Sequence, residues 1–240
     1  MKSIVKTIGI GVLCAGLVLG MAGCAAEAEK NTITAVGAGS VKVTPDMAKI
    51  YLGVNTVDET AEAAQEQNAE TMAAVMEKLK SLGITEENMK TGSYSVYPNY
   101  YYDYQTGAQS ITGYTVTNMV TVTTEKVDGV AEIIDSAAEA GSNINNGIDF
   151  TLKDKEEHYN TALKLAMENA AKKAGVMAES MGKTLGQTVD VKEYQSYDAY
   201  TSYAYYESAK GMGAARSDVS TPISYDDIEV TANVEVTYQY

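Results

Sequence analysis

The most regular stretch of the chain is its last. From Ile228 to Tyr240 apolar and polar positions alternate without a break, Ile228, Val230, Ala232, Val234, Val236 and Tyr238 on one face and Glu229, Thr231, Asn233, Glu235 and Thr237 on the other. A period of two held that long predicts a strand with one buried face. The first such region after the N-terminus is Ile33–Thr56, which reads as two strands joined at a tight turn and running into a long helix. Thr34–Val43 is apolar but broken by Gly37 and Gly39, where a strand can bend or admit another backbone. Thr44-Pro45-Asp46 then supplies a turn, and Ala48–Val57 alternates again.

Between these ends the period lengthens twice. Thr56-Val57-Asp58-Glu59 has the form of a capping box, and Ala61, Ala64, Asn68, Met72, Val75, Leu79 and Leu82 follow at helical spacing until Gly83. The opposite face, Glu62, Glu66, Glu70, Glu77, Lys78 and Lys80, reads as solvated. A second long helix is capped at Asp154-Lys155-Glu156-Glu157, carries an inward stripe of Tyr159, Leu163, Ala166, Ala170, Ala174, Met177 and Met181, and closes at Gly182. Its alanines let a helix approach a sheet closely while keeping high helix propensity. The Tyr-, Val- and Thr-rich segments Thr91–Gln105 and Ser110–Thr124, separated by Thr106-Gly107-Ala108, predict a long hairpin. Val127, Val130, Ile134, Ala137 and Ala138 mark a short helix stopped by Gly141, Asn143–Leu152 a strand with a bulge at Asn145-Asn146-Gly147, and Thr184–Tyr194 a further strand. Gln195–Asp226 is a long polar insert.

The order strand, long helix, strand, strand thus occurs twice, over Ala48–Thr124 and again over Asn143–Tyr240. The expected class is α+β: two strand-helix-strand-strand halves with long helices packed on largely antiparallel sheet, the halves facing each other to bury both alternating faces.

Charge narrows the partners. The formal net charge is -14, with 18 Lys+Arg against 32 Asp+Glu, and Arg216 is the one arginine, so phosphate-backbone binding is disfavoured and no nucleic-acid partner is expected. At the N-terminus, Lys2 and Lys6 precede an apolar run, Ile8–Ala22, too short to span a bilayer but suited to an export signal. Met21-Ala22-Gly23-Cys24 resembles the lipobox of bacterial lipoproteins, with Met21 where leucine is usual. That resemblance divides the chain into a signal peptide over 1–23, a lipidated tether over 24–31 with the lipid on Cys24, and a domain over 32–240 whose Tyr-rich insert is 195–226. It places the protein outside the cytoplasm, anchored to the outer face of the cytoplasmic membrane or to an outer membrane. Cys14 leaves with the leader, and a lipidated Cys24 leaves no thiol for a disulfide, metal or nucleophile.

Candidate chemistry is sparse. His158, the one histidine, sits beside Glu156 and Glu157 in a first helical turn, and consecutive residues do not converge on one metal. Asp226, Asp227 and Glu229 follow no calcium-loop spacing. No nucleophile-elbow motif is present, so no catalytic residue, metal or cofactor is assigned and a non-enzyme is expected. Tyrosine is the unusual feature: 18 Tyr against 1 Phe and 0 Trp. Two groups stand out as interface candidates, Tyr100, Tyr101, Tyr102 and Tyr104 in the hairpin and Tyr200, Tyr203, Tyr205 and Tyr206 in the insert. They could reflect loop composition and strand propensity, a subunit interface, or a surface for a cell-wall, host protein or glycan ligand. Because each group follows a long helix and its next strand, both are expected at similar ends of the sheets.

Val36-Gly37-Ala38-Gly39 through Pro45-Asp46 and Gly53-Val54, the strand with Pro98, Gly113-Tyr114, Asn118, Gly141 to Phe150, and the helix with Ala162, Ala166, Ala170, Lys173-Ala174 and Ala178-Glu179 before Gly182 resemble the SIMPL domain family. The family comprises exported bacterial proteins and an animal signalling protein, and the resemblance covers nearly all of Ile33–Tyr240. It implies an envelope protein of structural or interactive role, linked to oxidative or general stress tolerance and to surface antigens, with some members forming ring-like homo-oligomers. It implies no catalytic residues, and this chain departs from it in the tyrosine-rich insert.

Overall fold

The computed structural model describes residues 31–194, 202–203 and 221–240. Along the chain run β1 (Thr32–Val43), β2 (Met47–Asp58), α1 (Ala61–Ser81), β3 (Met89–Tyr102), β4 (Gln109–Thr124), α2 (Val130–Glu139), β5 (Ile144–Thr151), α3 (Lys155–Ser180), β6 (Thr188–Tyr194), the two-residue β7 (Ser202–Tyr203) and β8 (Ile228–Gln239). These make an α+β protein in which each described strand pairing is antiparallel.

Two sheets form, each with its own helix and its own core. The larger has the order β3-β4-β2-β5-β7 and the smaller β1-β8-β6. In the large module Ile50, Leu52 and Val54 of β2, Val120 and Val122 of β4 and Phe150 of β5 pack against Met72, Val75 and Leu79 of α1 and Val130, Ile133, Ile134 and Ala137 of α2. In the small module Ile33 and Ala35 of β1 and Val230, Ala232, Val234 and Val236 of β8 pack against Ala162, Ala166, Ala170, Ala174 and Ala178 of α3. Each fully buried Ile or Val contributes on the order of 1.5–3 kcal/mol. The two halves therefore do not close face to face, because each apolar face is already covered by a helix.

Strand membership also differs from the order read along the chain. β1 and β2 do not form a hairpin: β1 pairs with β8 over its whole length, while β2 lies between β4 and β5. β5, expected beside the later strands, instead joins β2, with the anticipated bulge at Gly147. Long-range pairing decides this, since an alternating strand carries no mark of its partner.

Local capping follows tertiary pairing in the same way. β2 stays extended to Asp58 because Asp58 pairs with Tyr114, so the cap of α1 falls on Thr60, whose hydroxyl accepts from the Ala63 amide at 3.2 Å. Inside, the Asn68 side-chain amide of α1 donates to the Val54 and Val116 carbonyls at 3.0 and 3.3 Å, fastening the helix to β2 and β4. Asp154 caps α3 as expected, accepting from the Glu157 amide at 2.9 Å. Its buried stripe, however, is purely alanine, every fourth residue from Ala162 to Ala178, and Met177 and Met181 lie exposed. The cause is the strand opposite: a Cβ on Gly37 would strike the Ala166 carbonyl, and one on Gly39 the Ala162 carbonyl and the Ala166 amide. A helix that close admits only methyl groups at the contact.

A strap joins the modules. Before entering β8 the chain runs over the large one, where Thr221 bonds Asp135 through its hydroxyl at 2.6 Å, and Ile223 and Tyr225 pack on the core. The Tyr225 ring lies 4.6 Å from that of Phe150, and Asp227 then accepts from Thr44 at 2.8 Å, tying the β1–β2 turn to the start of β8. The end of the polar insert is thus structural, and the alternation Thr221, Ile223, Tyr225 was the signal for it.

Candidate interaction surface

β2 ends at Asp58 opposite Tyr114, but β3 and β4 continue together through the pairs Asn99 with Gly113, Tyr100 with Ile111, Tyr101 with Ser110 and Tyr102 with Gln109. A two-stranded ribbon therefore projects from the edge of the large sheet by about 15–17 Å at roughly 3.4 Å per residue. Its root is fixed sterically and by hydrogen bonds. A Cβ on Gly113 would lie 2.7 Å from the Asp58 carbonyl, so only glycine lets β4 pass the end of β2. Thr115 and Thr112 donate to the side-chain and backbone oxygens of Asn99 at 2.9 and 3.3 Å.

The tip is a compact loop built on Asp103. Its carboxylate accepts from the Gln105 amide at 2.8 Å and the Thr106 hydroxyl at 2.8 Å, its backbone amide donates to Ala108 at 2.9 Å, and Gly107 turns the chain at φ 71°. The Thr106 hydroxyl foremost, and then the Gln105 amide, hold the Asp103 carboxyl below the usual aspartate range. On this frame Tyr100, Tyr101 and Tyr102 are at least half exposed and Tyr104 is 91% exposed, its ring edge-on to Tyr102 at 5.1 Å. Tyr94 and Tyr97 extend the exposed row back along β3. An isolated two-stranded hairpin is marginal in water. Rigid phenol rings spread over its faces give contact area at low entropic cost and keep a polar tip in solvent.

Of the second tyrosine group the structure places one backbone position. Tyr200, Tyr205 and Tyr206 lie outside the described residues, as does Cys24, and for Tyr203 only the backbone is described. Tyr203 pairs with Asp149 on the far edge of the sheet, level with Lys49 and hence with Thr123 of β4. That is the opposite end of β4 from the ribbon, roughly 34 Å along the strand from its root at Gly113 and roughly 48 Å from Gln109 near its tip. For Tyr203 the expectation of a shared end does not hold, because β5, not a strand of the other sheet, pairs with Ser202 and Tyr203.

His158 is half-buried in the first turn of α3, and among the described residues no three His, Cys, Asp or Glu side chains gather as a metal site. Tyr51 donates to Asp149 at 2.8 Å and Tyr225 to Asp128 at 3.0 Å, and these carboxylates raise both phenols above their ordinary value. Such shifts carry the phenols away from neutral pH, the reverse of what a base or nucleophile requires.

A family model described as "Protein of unknown function (DUF541)", SIMPL, matches residues 33–238. The chain belongs to the SIMPL family. It is 29% identical over 210 residues to the 26 kDa periplasmic immunogenic protein of Brucella melitensis, covering 86% of this chain and 84% of that protein. It is 26% identical over 234 residues to the uncharacterized protein YggE of Escherichia coli, covering 95% of this chain and 92% of that protein. The YggE of Edwardsiella ictaluri is 27% identical over 234 residues. The SIMPL match begins within β1 and ends within β8, so it takes in both modules, the ribbon and the strap.

Proposed function

We propose that this SIMPL-family protein is an exported, lipid-anchored envelope protein without catalytic activity, and that it works by self-association through the tyrosine ribbon of β3 and β4. The projecting ribbon carries the reading: a two-stranded arm bearing Tyr100, Tyr101, Tyr102 and Tyr104 exposes aromatic area that a monomer has no use for. Export and anchoring are supported by the Lys2 and Lys6 leader, by Met21-Ala22-Gly23-Cys24, and by the word periplasmic in the name of the Brucella relative. Two or three acyl chains, at about 0.8 kcal/mol per buried methylene, would hold the protein on a membrane where one would not.

Replacing Tyr100, Tyr101, Tyr102 and Tyr104 together with Ser is expected to lower the sedimenting mass while leaving the melting temperature within a few degrees, because these rings lie outside both cores. Unchanged sedimentation would refute self-association through the ribbon. Independently, Cys24→Ser is expected to move the protein from the membrane fraction to the soluble one and to abolish incorporation of labelled fatty acid. Label that persists in the variant would refute the anchor.

A further inference from the structure

The packing of α3 on β1 shows which end of the protein the N-terminal tether leaves. Gly39 lies against Ala162 and Leu165, Gly37 against Ala166 and Ala170, and the Lys173 ammonium donates to the Val36 carbonyl at 2.8 Å. The helix therefore runs antiparallel to the strand, and its last turn comes level with the first residues of β1. Backbone bonds close the same end: Tyr240 donates to Asn31 at 3.1 Å, Gly186 to Gln239 at 2.7 Å and Gln239 to Gln187 at 2.9 Å. Asn31, the turn after α3 and Tyr240 thus share one end of the small module.

That end departs from the acidic balance of the chain as a whole. Val176 is 63% exposed, Met177 45% and Met181 49%. Around them lie Lys172, Lys173 and Lys183, and between residues 170 and 187 Glu179 is the single acidic residue, in a protein whose acids outnumber its bases 32 to 18. Exposed methionine and valine bordered by lysine is the pattern of a surface that rests at the headgroup boundary of an anionic bilayer. The chain from Cys24 to Thr32 reaches at most about 28 Å, at roughly 3.5 Å per residue. With the lipid on Cys24, this end is held within that distance of the membrane, and such tethering makes weak contacts effective.

We propose that the end of the small module where α3 closes is a bilayer-docking face, resting Val176, Met177 and Met181 on the lipid surface with Lys172, Lys173 and Lys183 among anionic headgroups. This rests on the reading of Cys24 as lipidated. It sets that end of the small module on the membrane.

The test uses the full chain, processed in cells and reconstituted into phosphatidylcholine vesicles containing phosphatidylglycerol. The variant Met177→Cys carries a nitroxide on what is then the only free thiol, and Glu87→Cys, in the exposed turn Glu86–Asn88 of the large module, is the control. The soluble baseline is each of these combined with Cys14→Ser and Cys24→Ser in buffer, so that the engineered cysteine remains the only thiol. Docking predicts that the label at 177 loses collisions with a water-soluble nickel chelate several-fold on vesicles and gains collisions with oxygen, while the label at 87 changes in neither. Adding Lys172→Glu and Lys183→Glu should return nickel access at 177 several-fold with the protein still bound through its lipid. If the mature mass includes the lipid but 177 stays as open as 87, docking is overturned and the anchor stands. If the mass lacks the lipid and the protein does not float with vesicles, the anchor reading fails and this inference with it. Shielding of 177 already present in the Cys24→Ser baseline would mean that protein, such as a second copy, covers the face, and would also overturn it.

Discussion

At the scale of single residues the small module depends on two missing side chains. Gly39 faces the Ala162 carbonyl and the Ala166 amide of α3, and backbone cannot move aside as a flexible side chain can. Gly39→Ala is therefore expected to destabilise the protein by about 1–3 kcal/mol, the range for overpacking a dense core. Gly175 supplies the contrast, since it lies inside α3 with nothing within 4 Å of a Cβ built on it. Gly175→Ala should stabilise by roughly 0.5–1 kcal/mol through helix propensity alone. Urea midpoints of the two variants should move in opposite directions, and a shared direction would refute this account of the α3–β1 contact.

Elements show where local signals yield to pairing. α1 starts at Thr60 because β4 holds β2 extended as far as Asp58. The ribbon of β3 and β4 is held at its tip by a single carboxylate, which gives it a pH dependence of definite sign. The native pKa of Asp103 lies below its ordinary value because the ionised form accepts from Thr106 and Gln105. Its contribution to the loop is therefore complete above the unfolded value of about 3.9 and is lost as pH falls through the lower native value. The amide signals of Gln105 and Thr106 should move together in one acid transition whose midpoint lies below the ordinary aspartate value. Asp103→Asn should remove that acid transition, and a transition that survives in the variant would assign it to another group.

For the whole molecule, two cores joined by the β1–β2 turn, the β5–α3 link and the strap imply two regions of stability. Tyr225 anchors the strap through Phe150 and Asp128. Tyr225→Ala is expected to cost the large module about 1–3 kcal/mol, read as faster amide exchange in α2 and β5 with little change in β1 and β8. Equal acceleration in both sheets would show that the modules open as one unit. β1 carries the chain about 36 Å from the tether end at roughly 3.3 Å per residue, and the tyrosine ribbon leaves the large module at the end of β2 rather than at the β1–β2 turn.

What the amino-acid sequence determined alone was whatever depends on near neighbours. The period of two in β8, the helical spacing of Ala64, Asn68, Met72, Val75 and Leu79, the bulge at Gly147 and the Asp154 cap all arise within a few residues and could be read directly. The family resemblance was legible for the same reason, being carried by turns, glycines and small helix residues. What only the tertiary structure decided was partnership. β1 with β8, β5 with β2 and Tyr203 with Asp149 are choices among strands that look alike in isolation, because the backbone groups that pair are common to all of them. The exposure of Met177 and Met181 belongs here too. Their spacing suits a buried stripe, but the closeness of β1, set by Gly37 and Gly39 more than a hundred residues away, leaves room at the contact for alanine alone.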